Sequence, residues 1–177
     1  MVSTENKFAS FDARHLGCRS CERCSVKNKH TSVYFEQISE KICETLQQYD
    51  TFYVCSPWIS DKKILEIIER KGVSTLITSD KNDKKLDASL KAAFTHVYKC
   101  KSDIRFVHSK YIICCKDEVP TTVITGSYNY TEAAKNHDEN LIIIIDVSIS
   151  KQYLKNFQTL LLKCNKVSSD PEEEFYL

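Results

Sequence analysis

His108 and Lys110 stand two residues apart, and Gly126-Ser127-Tyr128-Asn129 follows after a strand–turn–strand stretch. An imidazole, an ammonium, a hydroxyl and a carboxamide are thereby set at the ends of two adjacent extended segments. That set suits attack on a phosphodiester without a metal. The imidazole can be the nucleophile, while the other three groups hold the phosphate and spread its charge.

Extended geometry must bring them together. Side chains alternate along a strand, so His108 and Lys110 share one face. Tyr111 to Cys115 is almost wholly apolar, as a buried strand requires. Lys116 to Pro120 is polar and ends in proline, the composition of a turn. Thr121 to Thr125 is rich in β-branched residues and returns as the second strand, which Gly126 ends. Ser127 and Asn129 then share a face, and the hairpin carries them back beside His108 and Lys110.

Together these residues resemble the signature of the phospholipase D superfamily: a histidine and lysine two apart, an aspartate, then G-S-x-N. Cys115 occupies the aspartate position, Asp117 lies two residues later, and the spacer to Gly126 is longer than the family's. Asn136-His137-Asp138-Glu139-Asn140 looks like the family's acidic element, and the resemblance implies that Glu139 fixes the tautomer of a histidine. Thr51 to Ile59 and Gly72 to Thr78 look like its early core strands. The similarity runs from about Thr31 to about Cys164, and compact single-motif nucleases, including the mitochondrial Zucchini-type members, are similar in length and arrangement.

Other residues gather around this motif. Lys99, Lys101, Arg105, Lys110 and Lys116 cluster in sequence, and Lys99, Lys101 and Arg105 are candidates for contacting substrate phosphates. Tyr128 is a candidate for stacking on a base, as is Tyr130. His96 and His137 are read as non-catalytic.

A length of 177 residues supports one ordinary domain with a full core. Hydrophobic content of 42% with 28% charged residues is normal for a globular protein. The formal net charge of +1 gives no strongly basic domain, and a basic patch would have to be local. Residues 1–30 carry six Lys/Arg against three Asp/Glu, and residues 166–177 one Lys against four acids. No run approaches the roughly 18 apolar residues of a membrane span, so no membrane insertion is expected. The N-terminus has no apolar core of the signal-peptide kind. Nine cysteines then point to a reducing compartment, the cytoplasm by default, with thiols or metal ligation rather than disulfides.

Strands alternate with amphipathic helices along the rest of the chain, predicting an α/β fold: a mixed central β-sheet flanked by helices on both faces, with one motif per chain. Strands are expected at Thr31–Phe35, Tyr53–Ser56, Val73–Thr78, His96–Lys99, Ile104–Val107 and from Leu141. Helical stripes are expected at Ile38-Ile42-Leu46-Tyr49, at Ile64-Leu65-Ile67-Ile68 behind a Ser60 or Asp61 cap, and at Leu86-Leu90-Ala93-Phe94. A closing helix over Ile149–Leu162 would bury Tyr153, Leu154, Phe157 and Leu161. The domain spans 31–165, between an N-terminal Cys/His arm (1–30) and an acidic tail (166–177).

Cys18, Cys21 and Cys24 have two residues between each and the next, and are bracketed by His15 and His30. Three thiolates and one imidazole, from His30 or His15, could complete a tetrahedral structural zinc site. Catalysis itself is expected to need no cofactor. The family reaction uses two histidine–lysine sets, and this chain carries one, so a homodimer is expected to assemble the pair. The first functional reading is an endonuclease or phosphodiesterase acting on DNA or RNA, single-stranded more readily than duplex. Phospholipid phosphodiester hydrolysis is the second, and a nucleic-acid-binding module without turnover the third.

Overall fold

The computed structural model describes residues 25–27, 30–82, 84–101 and 107–166. They run as β1 (Ser25–Lys27), β2 (Thr31–Tyr34), α1 (Ile38–Leu46), β3 (Thr51–Cys55), α2 (Lys62–Lys71), β4 (Val73–Ser79), α3 (Lys84–Ala93) and β5 (His96–Cys100). Then come β6 (Tyr111–Lys116), β7 (Val119–Gly126), a 3₁₀ turn (Ala133–Asn136), β8 (Leu141–Ile145), α4 (Val147–Leu161) and β9 (Asn165–Lys166). The strands form one sheet in the order β1-β2-β8-β7-β6-β3-β4-β5-β9. β3, β4 and β5 are mutually parallel, joined by helical crossovers; the other pairings are antiparallel. This is the mixed α/β sheet expected from the sequence.

The sheet is covered on both faces, which explains why its central strands are apolar without alternation. Phe52, Val54, Leu76, Ile112, Cys114 and Ile124 pack against α1, α2 and α3. Their neighbours Cys55, Ile77, Tyr111, Ile113, Cys115 and Val123 pack on the other side against Phe157 of α4. The α1 stripe is as read: Ile38, Ile42, Leu46 and Tyr49 are all buried. On α4, by contrast, only Phe157 of the four expected residues is fully buried; Tyr153, Leu154 and Leu161 pack at its margin. A lone helix on a broad sheet leaves its flanks in solvent.

Asp61, rather than Ser60, caps α2: its Oδ1 accepts from the amide of Lys63 at 3.0 Å. Gly72 ends the helix at φ 96°, a conformation that glycine adopts without a Cβ penalty. Three expectations are corrected. The sheet begins inside the segment read as an arm, since β1 pairs with β2, and it continues past residue 165 in β9. Val107 is buried outside any strand, and residues 104–106 of the strand expected there lie outside the described residues. Cys100 and Cys164 form a disulfide across 64 residues, where reduced thiols were expected. Pairing of β5 with β9 holds their Cα atoms 4.3 Å apart, which spacing in the sequence does not reveal.

Candidate active site

Antiparallel pairing of β6 with β7 sets Tyr111 opposite Thr125. The residues just before β6 and just after β7 therefore meet at one end of the sheet. His108, Ser109, Lys110, Tyr111, Thr125, Gly126, Ser127 and Asn129 line a cleft of about 770 Å³ there, with Gln152, Tyr153 and Asn156 of α4 as its wall. Thr125 Oγ1 donates to the carbonyl of Lys110 at 3.1 Å and ties the two segments together.

Lys110 folds back beneath His108. Its Nζ donates to the His108 carbonyl at 2.8 Å and lies 3.1 Å from Nε2 of the ring. His108 is exposed in the cleft, while Lys110 is 8% exposed. Burial lowers the Lys110 pKa from its ordinary 10.5, partly opposed by the carboxylate of Glu139. An ammonium held this way is poorly hydrated, and its charge acts strongly on whatever anion enters.

Ser127 and Asn129 project into the cleft, and the residues between and beyond them project away. Tyr128 and Tyr130 are therefore core residues, 2% and 0% exposed. This corrects the assignment of Tyr128 as a base-stacking residue: its ring is packed among α1 and the 3₁₀ turn, and burial pushes its hydroxyl up to about 12. Asn129 is half-buried with its Oδ1 out of solvent. Its backbone is held from below: the amides of Ser60 and Asp61 donate to the carbonyl of Tyr130 at 2.8 and 3.0 Å, and the amide of Thr131 to that of Asn129 at 2.7 Å. Asp61 carries this loop further. Fully buried, it accepts from Ser39 Oγ at 2.6 Å and pairs with Lys135 at 3.0 Å. Gly126 is required by close approach, because a Cβ there would run into the carbonyl of Asn140.

Glu139 accepts a hydrogen bond from the Ser127 hydroxyl, which in turn accepts from the amide of Asn140 at 3.0 Å. The carboxylate expected to orient a histidine thus orients the serine. Lys99 is paired with Asp87 of α3, and three strand steps separate β5 from β6, roughly 14 Å at the usual strand spacing. This salt bridge and the distance make Lys99 a structural ion pair rather than a phosphate contact, a second correction. Lys101 is exposed beyond the end of β5. Arg105, Cys18, Cys21 and Cys24 lie outside the described residues. His30 is exposed at the start of β2, where its carbonyl accepts from Ile145 at 2.7 Å.

The α4 wall was missed by sequence reading. Gln152 and Asn156 are one helical turn apart, but nothing in the sequence says which end of the sheet this helix crosses.

A family model described as "Cardiolipin synthase, PLD-like domain" matches residues 42–161. This chain belongs to the phospholipase D superfamily. A curated relative, Phospholipase D of Rickettsia typhi, is 31% identical over 166 residues, covering 86% of this chain and 74% of that one. The phospholipase D family member Nuc from Salmonella typhimurium shares the fold at a TM-score of 0.67 and 17% identity, over 78% of this chain and 98% of its own. NucT from Helicobacter pylori does so at 0.61 and 14%, over 77% and 98%. The protein is accordingly an enzyme of the phospholipase D-like phosphodiesterase class.

Its departure from the superfamily signature has a structural account. Cys115 is 1% exposed in the core under α4, its thiol pushed up to about 11 by burial, and no carboxylate could be accommodated there unpaired. Asp117, at φ 50°, belongs to the β6–β7 turn. That turn lies at the far end of β6 from Lys110, roughly 20 Å away at strand rise. The cleft end of the hairpin is in register, and a bulge between Cys114 and Cys115, towards the turn, takes up one residue of β7.

Proposed function

We propose that this phospholipase D-like phosphodiesterase cleaves nucleic acid, single strands in preference to duplex, through a phosphohistidine formed at a homodimer interface. The observation that carries the reading is the convergence of exposed His108 over buried Lys110 with Ser127 and Asn129 in one cleft.

In this mechanism Nε2 of His108 attacks phosphorus. The bond to the departing alcohol breaks, and that oxygen takes a proton from the partner's His108. The same imidazole, now a base, removes a proton from water; the hydroxide attacks phosphorus and the P–N bond breaks. Lys110 and the Asn129 amide hold nonbridging oxygens through both steps, where a water-poor site makes each contact worth most. No divalent cation enters.

Two copies are needed because the chain carries one histidine–lysine set. Exposure of His108 leaves its ring accessible to a second copy across a twofold axis. Among the described residues no helix is long and apolar enough to cross a membrane. The cleft is walled by carboxamides and tyrosine rather than by aliphatic groups, which favours a polar substrate over a phospholipid. A direct test offers a labelled single strand, a duplex and phosphatidylcholine side by side with chelator present. Strand cleavage abolished in His108→Ala supports the reading. Choline release without strand cleavage replaces it with lipid hydrolysis, and tight binding of nucleic acid without turnover replaces it with a binding module.

A further inference from the structure

One wall of the cleft plays no part in the phosphoryl chemistry. Gln152, Tyr153 and Asn156 of α4 line it, and Gln152 and Asn156 lie four residues apart, so their side chains form one row along the helix. Asn156 is anchored through its oxygen. The buried Tyr111 hydroxyl donates to its Oδ1 at 3.1 Å, and Tyr111 is itself fixed edge-on against Tyr153, ring centroids 5.1 Å apart. Tyr111 also lies against the thiol of Cys55, and burial holds its hydroxyl well above the ordinary value, so it stays protonated and remains the donor. With its oxygen engaged from below, Asn156 presents its NH₂ group outward. Gln152, exposed one turn earlier, adds a second carboxamide.

The next row round the helix differs in kind. Lys151 and Lys155 precede the two amides by one residue each and are both exposed. A neutral row that donates and accepts therefore runs alongside a row of two ammonium groups. A polynucleotide offers a base edge and a phosphate in each repeat, one for each row. Carboxamides match base edges because they donate and accept at adjacent atoms.

We propose that α4 is the base-reading track of this enzyme: Gln152 and Asn156 hydrogen-bond the edge of the nucleotide beside the scissile phosphate, and Lys151 and Lys155 meet the phosphates that follow. The assignment rests on the nucleic-acid reading above and names the part of the cleft that would make cleavage depend on the base. Tyr111 is a positioning residue that acts through Asn156.

The test compares Gln152→Ala/Asn156→Ala, Asn156→Asp and wild type on four single-stranded homopolymers and on bis(4-nitrophenyl) phosphate, a diester without a base. Asn156→Asp keeps the acceptor for Tyr111 while removing the outward donor, so it reports on recognition if the double variant folds poorly. Expected is a fall in kcat/KM on the preferred homopolymer about tenfold larger than on the baseless diester, carried by KM, with the ranking of the four polymers flattened. Equal losses on both substrate types, or unchanged ranking, overturn the track while leaving nucleic-acid cleavage standing. A change in oligomeric state shows α4 to be an interface between copies and also overturns it. Wild type that hydrolyses the diester but no polymer removes the nucleic-acid reading and the track with it.

Discussion

The Nζ of Lys110 sits 3.1 Å from Nε2 of His108 and 2.8 Å from its carbonyl, beneath a ring that is open to the cleft. In the proposed reaction, a buried ammonium under an exposed imidazole puts the charge where the phosphate oxygens would arrive and leaves the attacking ring accessible. Removing either kind of oxygen contact has a defined cost. Lys110→Ala and Asn129→Ala should each lower kcat by roughly a hundredfold or more, as loss of an oxyanion donor does, with KM moving less. Steady-state rates on a soluble diester check this.

Burial of Lys110 has a pH signature. Its pKa is below 10.5, so the ammonium discharges before an ordinary lysine would, and activity should fall on the alkaline side below that value. The sign is fixed by the requirement for the charged form. Lys110→Arg keeps its charge to higher pH, so whatever activity it retains should lack this limb. A kcat/KM profile from neutral pH to about 11 measures both, the upper bound being chosen to span the ordinary lysine pKa.

Assembly is the next consequence. Light scattering should give twice the 20.4 kDa chain mass at working concentration. A fully active monomer would contradict the paired site.

Asp61 links stability to the site. It caps α2, bonds Ser39, pairs with Lys135 and sits beside the backbone that holds Tyr130. Asp61→Ala removes the cap and leaves buried polar groups unmatched, at about 3 kcal/mol in urea unfolding. Activity should fall as well, because the Asn129 loop loses its support.

Much of this arrangement was legible in the sequence, for a physical reason. The hairpin could be read because period-two alternation fixes which residues return beside His108 and Lys110; the turn itself is only Asp117–Glu118, and Pro120, read as its end, lies in β7 opposite Cys115. The α1 and α2 stripes were legible because a helix against a sheet must bury one face. Tyr128 was misread because its neighbours in the chain line the cleft, and the alternation that places Ser127 and Asn129 there turns Tyr128 into the core. Lys99 was misread because nearness in sequence conceals a separation of several strands. The Cys100–Cys164 disulfide and the α4 wall depend on how distant segments dock, which no local pattern encodes.

That disulfide closes a long loop, so its loss should be felt. Cys100→Ser/Cys164→Ser should be less stable by about 2–4 kcal/mol under non-reducing conditions, from unfolded-chain entropy. Cys55, Cys114 and Cys115 should resist alkylation in the native state, since burial raises all three thiols, Cys55 to about 12 and Cys115 to about 11. Mass spectrometry after labelling, with and without denaturant, checks both the bridge and the protected thiols.

The decisive measurement is the stereochemical course at phosphorus, followed with a chiral phosphorothioate diester. Two successive in-line displacements through His108 predict overall retention. Inversion would mean that water attacks the diester directly, and the phosphohistidine account would be wrong.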